Sequence, residues 1–292
     1  MDIKVPRGKY VLAVSGGVDS MVLLDLLSNL SGVEIIVAHF NHGIRLEAVM
    51  DEGLVADAGE KYGLPVEVGR AKLGPGASEA AARDERYGFL RAIQNRHQAS
   101  KVITAHHQDD LIETALINLI RGTGRQGLSA ISSNPNVLRP LLEVPKSELL
   151  KYAKAHQLAW NEVITNQSTD YLRNRLRHSV LTKMTADQRR KLLDELSLIS
   201  SINQKIDENI AILSQLMGGE LIDRSLFTIL PMEIGNEILV YRLRQLGIRD
   251  FNSKTINRLN LAIRTAKANS IHPIRRGAKL KVSQRSAELL TS

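Results

Sequence analysis

The 292-residue sequence predicts an α/β protein: a doubly wound parallel sheet, then a helical linker, then a small basic C-terminal domain. Three observations predict it. Short apolar runs alternate with helix-compatible stretches through roughly the first half of the chain. Three polar motifs, Ser15–Ser20, His39–Arg45 and His106–Asp110, each follow such a run, where ligands sit in parallel sheets. Residues 221–292 hold 13 basic and 5 acidic side chains, so the whole net charge of +8 lies there and the body is neutral.

The elements follow in order. Tyr10–Val14 reads as the first strand, and MVLLDLLSNL after the Ser15–Ser20 loop has helical spacing of Leu and Met. Glu34–Phe40 is β-branched and reads as a buried strand. A polar helix runs to about Tyr62, where Gly63 and Pro65 break it. VEVGRA from Val66 is the third strand, and Ser78 caps a helix through Gln94. Lys101–His107 is the fourth strand, DDLIETALINLI the next helix and Val137–Leu141 a fifth strand. From Pro145 the pattern turns helical, and Thr185–Met217 reads as one or two amphipathic helices. Gly218-Gly219 marks a boundary, beyond which Ser253–Ala268 is helical and GAKLKVS alternates like a strand. The expected domains are 1–184, 185–217 as linker and 218–292.

Composition narrows the function. Apolar residues make up 43% and charged residues 24%, an ordinary globular balance. No apolar run approaches the length of about eighteen residues that a membrane span needs, and the N-terminus carries no apolar signal region. The chain has no cysteine, which excludes disulfide scaffolds, thiol nucleophiles and thiolate-held iron–sulfur clusters. These features give a cytoplasmic protein with no membrane partner as the expectation. The basic C-terminal part favours a polyanion, nucleic acid first.

Ser15-Gly16-Gly17-Val18-Asp19-Ser20 lies between a strand and a helix. Its glycines let a ligand approach the backbone, and the helix N-terminus offers amides to an anion. No Gly-Lys-Ser/Thr follows, so this is not a Walker A loop. It is similar to the PP-loop of ATP pyrophosphatases, SGGxDS. A carboxylate beside phosphates calls for a cation between them, so Asp19 points to Mg²⁺; capping the helix is its other reading.

His106-His107-Gln108-Asp109-Asp110 opens a helix on which Asp110 and Glu113 share a face. His39, His42, His106 and His107 read as base-stacking or phosphate-binding groups before zinc ligands, because no ligand spacing supports zinc. Arg121-Gly122-Thr123-Gly124-Arg125 is a flexible loop suited to an anion. Arg173, Arg175 and Arg177 cannot share one helix face at spacing two, so part of RNRLRH is expected to be extended. That stretch is either a solvated basic surface or a contact to phosphates of RNA or ATP.

In order, SGGVDS, HFNHGIR, Ser-Glu-Ala-Ala-x-x-x-x-Arg-Tyr at 78–87, HHQDDLIET, RGTGRQGLSA, LRPLL and RNRLRH resemble the tRNA(Ile)-lysidine synthetase family over about residues 10–180. The resemblance implies ATP and Mg²⁺ as cofactors, with free L-lysine and an isoleucine tRNA bearing a CAU anticodon as partners. The wobble cytidine would be adenylated at O2, and the lysine side-chain amine would then displace AMP at C2 to give lysidine. Carried over by motif, Ser15, Gly16, Gly17, Val18, Asp19, Ser20, His39 and His106 hold ATP, and Asp19 and Asp110 hold the metal. Arg86 and Arg175 steady the intermediate, and either Asp19 or Asp110 is the base. Arg121, Arg125, Arg173 and Arg177 are expected at the tRNA, with Arg275 and Arg276 of the basic module. A homodimer is also implied. The alternatives are an ammonia-using small-molecule synthetase with the same loop, or a non-catalytic RNA-binding adaptor.

Overall fold

Five parallel strands in the order β3-β2-β1-β4-β5 form the first sheet. They are β1 (Gly8–Ala13), β2 (Val33–Asn41), β3 (Val66–Arg70), β4 (Lys101–Ile103) and β5 (Val137–Leu138). This computed structural model describes the chain except residues 44–47, 72, 75–78, 130, 132–133, 135, 162–171, 249–250, 276 and 292, and the side chains of 48, 79, 80 and 174. The helices of this part are α1 (Val18–Ser28), α2 (Ala48–Tyr62), α3 (Glu79–Arg96), α4 (Gln108–Ile120), α5 (Arg125–Leu128), α6 (Lys146–Ala155) and α7 (Leu172–Ser179). The expected cap at Ser78 lies outside the described residues.

Alternation along the strands splits their side chains between two cores. Tyr10, Leu12, Ile35 and Val37 pack on one face with Leu23 and Leu27 of α1, Val55 of α2 and Leu149 of α6. Val11, Ile36, Ala38 and Val102 pack on the other with Leu90 and Ile93 of α3. Burial on both faces is why these strands read as unbroken apolar runs. Asp25 of α1 joins two further helices: the hydroxyls of Tyr62 and Tyr152 donate to its two oxygens at 2.6 and 2.7 Å. Burial and that carboxylate together push Tyr152 up to about 12. Gly59 lets α2 approach β3, since a Cβ there would stand 2.1 Å from Val66.

Three expectations change. β5 covers only Val137–Leu138 rather than Val137–Leu141, since Pro140 has no amide to continue the ladder. β4 ends at Ile103, so His106 and His107 lie in the loop rather than in the strand. The RNRLRH segment is helical, not extended, because α7 runs from Leu172 to Ser179. Arg173 and Arg177, four apart, share the face that meets α4, and Arg175 is exposed.

Thr185–Met217 is one helix, α8 (Ala186–Leu216). The chain divides into units 1–200 and 201–292. The second unit contains β6 (Leu221–Asp223), α9 (Arg224–Ile229), α10 (Met232–Gln245), α11 (Ser253–Thr265), β7 (Ser270–Arg275), β8 (Ala278–Val282) and β9 (Ser286–Thr291). Its antiparallel sheet has the order β6-β9-β8-β7 around a core that includes Phe227, Leu239, Leu259, Ile263 and Leu280. Several of its cations are structural. Arg242 donates to Ser214 Oγ at 2.8 Å and Ser214 O at 2.7 Å, and Arg224 donates to the carbonyls of Ile263, Ala266 and Ser283. On β8, by contrast, Lys279 and Lys281 point out of the sheet between buried Ala278, Leu280 and Val282.

Candidate active site

The strand order reverses at β1, whose neighbours are β2 and β4. A crevice opens at such a switch point, beyond the strands' carboxyl ends. Among the described residues, Ser15–Ser20 after β1 and His106–Asp110 after β4 enter it.

The first segment is tied by its own hydroxyls. Ser20 Oγ donates to Gly17 O at 2.9 Å, and Ser15 N donates to Ser20 Oγ at 3.1 Å. Gly16 adopts φ +86°, a left-handed conformation, and a Cβ there would lie 3.2 Å from Asp51 Cβ. Its carbonyl accepts from Asn161 N at 3.0 Å, while Asn161 Nδ2 donates to Asp51 at 2.9 Å. Gly17 is the N-cap of α1 and brings no side-chain cap, which leaves the first-turn amides for another acceptor. Val18 starts the helix with its side chain in the core.

The second segment is a reciprocal cap. His107 Nδ1 accepts from Asp109 N at 3.2 Å, and Asp110 accepts from His107 N at 2.9 Å. That leaves the proton of the imidazole on Nε2, which faces Asp19 at 3.6 Å and Asp110 at 3.5 Å. The two carboxylates are therefore brought together on one ring nitrogen, from loops 91 residues apart. Burial opposes charging His107, but Asp19 and Asp110 outweigh it and raise its pKa. Burial would likewise raise Asp19, and His107 and Lys146 more than reverse that, so its pKa is lowered. Lys146, the first residue of α6, places Nζ 2.5 Å from Asp19.

Glu113 lies one turn along α4, and its side chain is fully buried. Arg177 of α7 reaches it with Nε at 2.5 Å and also touches Asp110 at 3.4 Å, while Arg173 stands 3.7 Å away. Burial still keeps the Glu113 pKa above its usual range.

His39 is buried at the end of β2, with Nδ1 2.9 Å from Val14 O, and its Nε2 has no hydrogen-bond partner among the described residues. His106 Nδ1 is 2.8 Å from Thr104 Oγ1. Burial lowers His106 to about 4; Asp110 opposes this, and Arg139, Arg86 and Arg83 add to it. Arg86 is half-buried on α3, with Cζ 5.6 Å from the Tyr87 ring centre. Arg121 ends α4 in solvent, Arg125 is half-buried at the start of α5, and Arg275 is exposed on β7. Arg276 lies outside the described residues.

The structure thus gathers Ser15, Gly16, Gly17, Asp19, Ser20 and Asp110 at one crevice. Lys146, Glu113 and Arg139 join this region although sequence reasoning gave them no part in a site. Glu113 carried a signal, its spacing from Asp110. Lys146 carried none, since it meets Asp19 only through the fold.

Residues 3–184 match the PP-loop domain family. The chain is similar to the tRNA(Ile)-lysidine synthase of Exiguobacterium sibiricum, 38% identical over 184 residues that make up 62% of this chain and 44% of that protein. It is similar to that of Thermotoga maritima, 37% identical over 189 residues, covering 61% and 46%. It is also similar to that of Thermus thermophilus, 41% identical over 179 residues, covering 59% and 35%. The chain spans less than half the length of these relatives. The matched residues include the Ser15–Ser20 loop and the parallel sheet around it, and the chain belongs to the PP-loop domain family.

Proposed function

We propose that this chain ligates free L-lysine to C2 of the wobble cytidine in the CAU anticodon of an isoleucine tRNA, at the expense of ATP. One observation carries the reading: Asp19 and Asp110 converge on His107 Nε2 beside the uncapped amides of α1. Phosphates and a carboxylate pair belong together only when a cation joins them. The motif order described above and the similarity to three tRNA(Ile)-lysidine synthases support the choice of substrate.

The chemistry runs in two steps. Cytidine O2 attacks the α-phosphorus of ATP, and pyrophosphate leaves. The lysine Nζ, once neutral, attacks C2; AMP departs with O2, and the amine proton is lost to a base. This chain's residues orient, neutralise and accept a proton, and none has to become a nucleophile. The amides at Gly17 and the start of α1, with Ser15 and Ser20, hold phosphate oxygens. His39 Nε2, a buried acceptor, suits a donor on the nucleoside. Arg86 and Arg175 steady the adenylated base. Asp110 or Asp19 takes the amine proton.

The residues fit Mg²⁺. It takes one or two carboxylates and completes its shell with phosphate and water oxygens. Asp19 and Asp110 are two such carboxylates, with side chains 27% and 21% exposed. When bound, the ion would neutralise charge on the ATP phosphates. In the second unit, Arg275, Lys279 and Lys281 lie exposed along neighbouring strands and suit tRNA phosphates. A homodimer in the cytoplasm completes the reading.

The test uses labelled lysine, ATP, Mg²⁺ and two tRNA transcripts that differ only in C or U at the wobble position. Label in the C transcript alone is expected. ATP split to AMP and pyrophosphate without label in either would instead favour a small-molecule synthetase.

A further inference from the structure

A second group of charges, all cationic, gathers between α3 and the end of β5, near enough to act on His106. Arg83 is exposed on α3, with Cζ 5.0 Å from the centre of the Tyr87 ring. Arg139 follows β5 and lies beside the Tyr87 hydroxyl. Its Nη1 is 3.4 Å from Val137 O. Arg139 Nε and the Tyr87 hydroxyl are both buried without a hydrogen-bond partner among the described residues. Arg83 and Arg139 also lie close enough to repel each other.

A buried guanidinium nitrogen beside a buried phenol, neither with a hydrogen-bond partner among the described residues, is costly unless something fills the space beside them. The missing partner is an anion with several acceptor oxygens. A guanidinium fork matches a phosphate, and a phenol supplies a further donor. The ATP phosphates have their own cradle on α1, which packs on the opposite face of the sheet from α3. A nucleotide drawn into the crevice brings its backbone phosphate with it, and that charge needs its own donors.

We infer that Arg83, Arg139 and Tyr87 bind a backbone phosphate of the RNA next to the nucleotide being modified. This rests on the proposed function, because it takes RNA as the substrate.

The test replaces each phosphate around the wobble position of a CAU anticodon stem-loop, in turn, by a neutral methylphosphonate. Binding of each RNA is measured with the unaltered protein and with Arg83→Gln, whose side chain is exposed. One linkage should cost the unaltered protein about tenfold in affinity and cost Arg83→Gln almost nothing further. Arg139→Lys, which keeps the charge, should lose less affinity than Arg139→Gln. ATP affinity without RNA should be unchanged in Arg83→Gln. Purely additive losses at every linkage overturn the proposal, as does weakened ATP binding in place of weakened RNA binding. Lysine incorporation without such coupling sinks this site and leaves the proposed function standing. Coupling without lysine incorporation does the reverse. No binding of any RNA removes both.

Discussion

Arg177 holds Glu113 through two hydrogen bonds, Nε to Oε1 at 2.5 Å and Nη2 to Oε2 at 3.1 Å, across 64 residues of chain. The carboxylate is fully buried and the arginine about one third exposed. The pair joins α7 to α4 directly beneath Asp110. Removing one partner strands a buried charge, which typically costs about 3–5 kcal/mol. Arg177→Ala is expected near the lower end, because Arg173 remains 3.7 Å from Glu113. Glu113→Gln, which keeps the shape, should cost less. Urea unfolding of the two variants and of their combination measures the coupling, and losses that merely add would contradict the pairing.

Gly16 is a sterically demanding position in the loop. Its φ of +86° and the 3.2 Å approach to Asp51 both oppose a side chain. Gly16→Ala should cost about 1–2 kcal/mol and disturb the loop that faces the phosphates. Gly17 is extended, and a Cβ there meets nothing closer than Ser15 Oγ at 3.6 Å. Gly17→Ala should therefore fold normally, and any fall in ATP affinity would report crowding of the ligand. Thermal melts of both variants, with ATP titrations, separate the two effects.

His106 should make the protein acid-sensitive. Its pKa is about 4 when folded, against about 6.5 in an unfolded chain. The unfolded state therefore binds a proton that the folded state refuses. Stability from this group is fully present above about pH 6.5, falls as the pH drops toward 4, and levels off below that. The total is about 3 kcal/mol. Urea midpoints of the unaltered protein and His106→Gln between pH 7 and 4 should show the difference, and parallel curves would contradict it.

The basic sheet face should govern salt dependence. Lys279 and Lys281 are exposed and alternate with buried residues, so replacing both by Glu should leave the fold intact. Affinity for tRNA should fall, and the slope of log affinity against log salt should lose about two units. Filter binding across a salt series reads both. An unchanged slope would place the phosphates elsewhere.

The sequence by itself determined the sheet's rhythm, the helices around it and the loop at the end of β1. Those features depend on neighbours in the chain: alternating apolar residues, caps and glycine torsions. It also put Ser15–Ser20 and His106–Asp110 after strands of the parallel sheet, although β4 stops at Ile103, earlier than its apolar run implied. RNRLRH misled, since local spacing could not show that Arg173 and Arg177 would find Glu113 and make a helical face worth forming. The basic C-terminal stretch hid its helix-packed antiparallel sheet for a similar reason, as Arg224 and Arg242 serve buried carbonyls rather than solvent. Only the tertiary structure brought Asp110 to Asp19 around His107, and Lys146 to Asp19 across 127 residues. Strand order decides which loops share a crevice, and it is set by packing both faces of the sheet at once, a condition that no local segment of sequence carries.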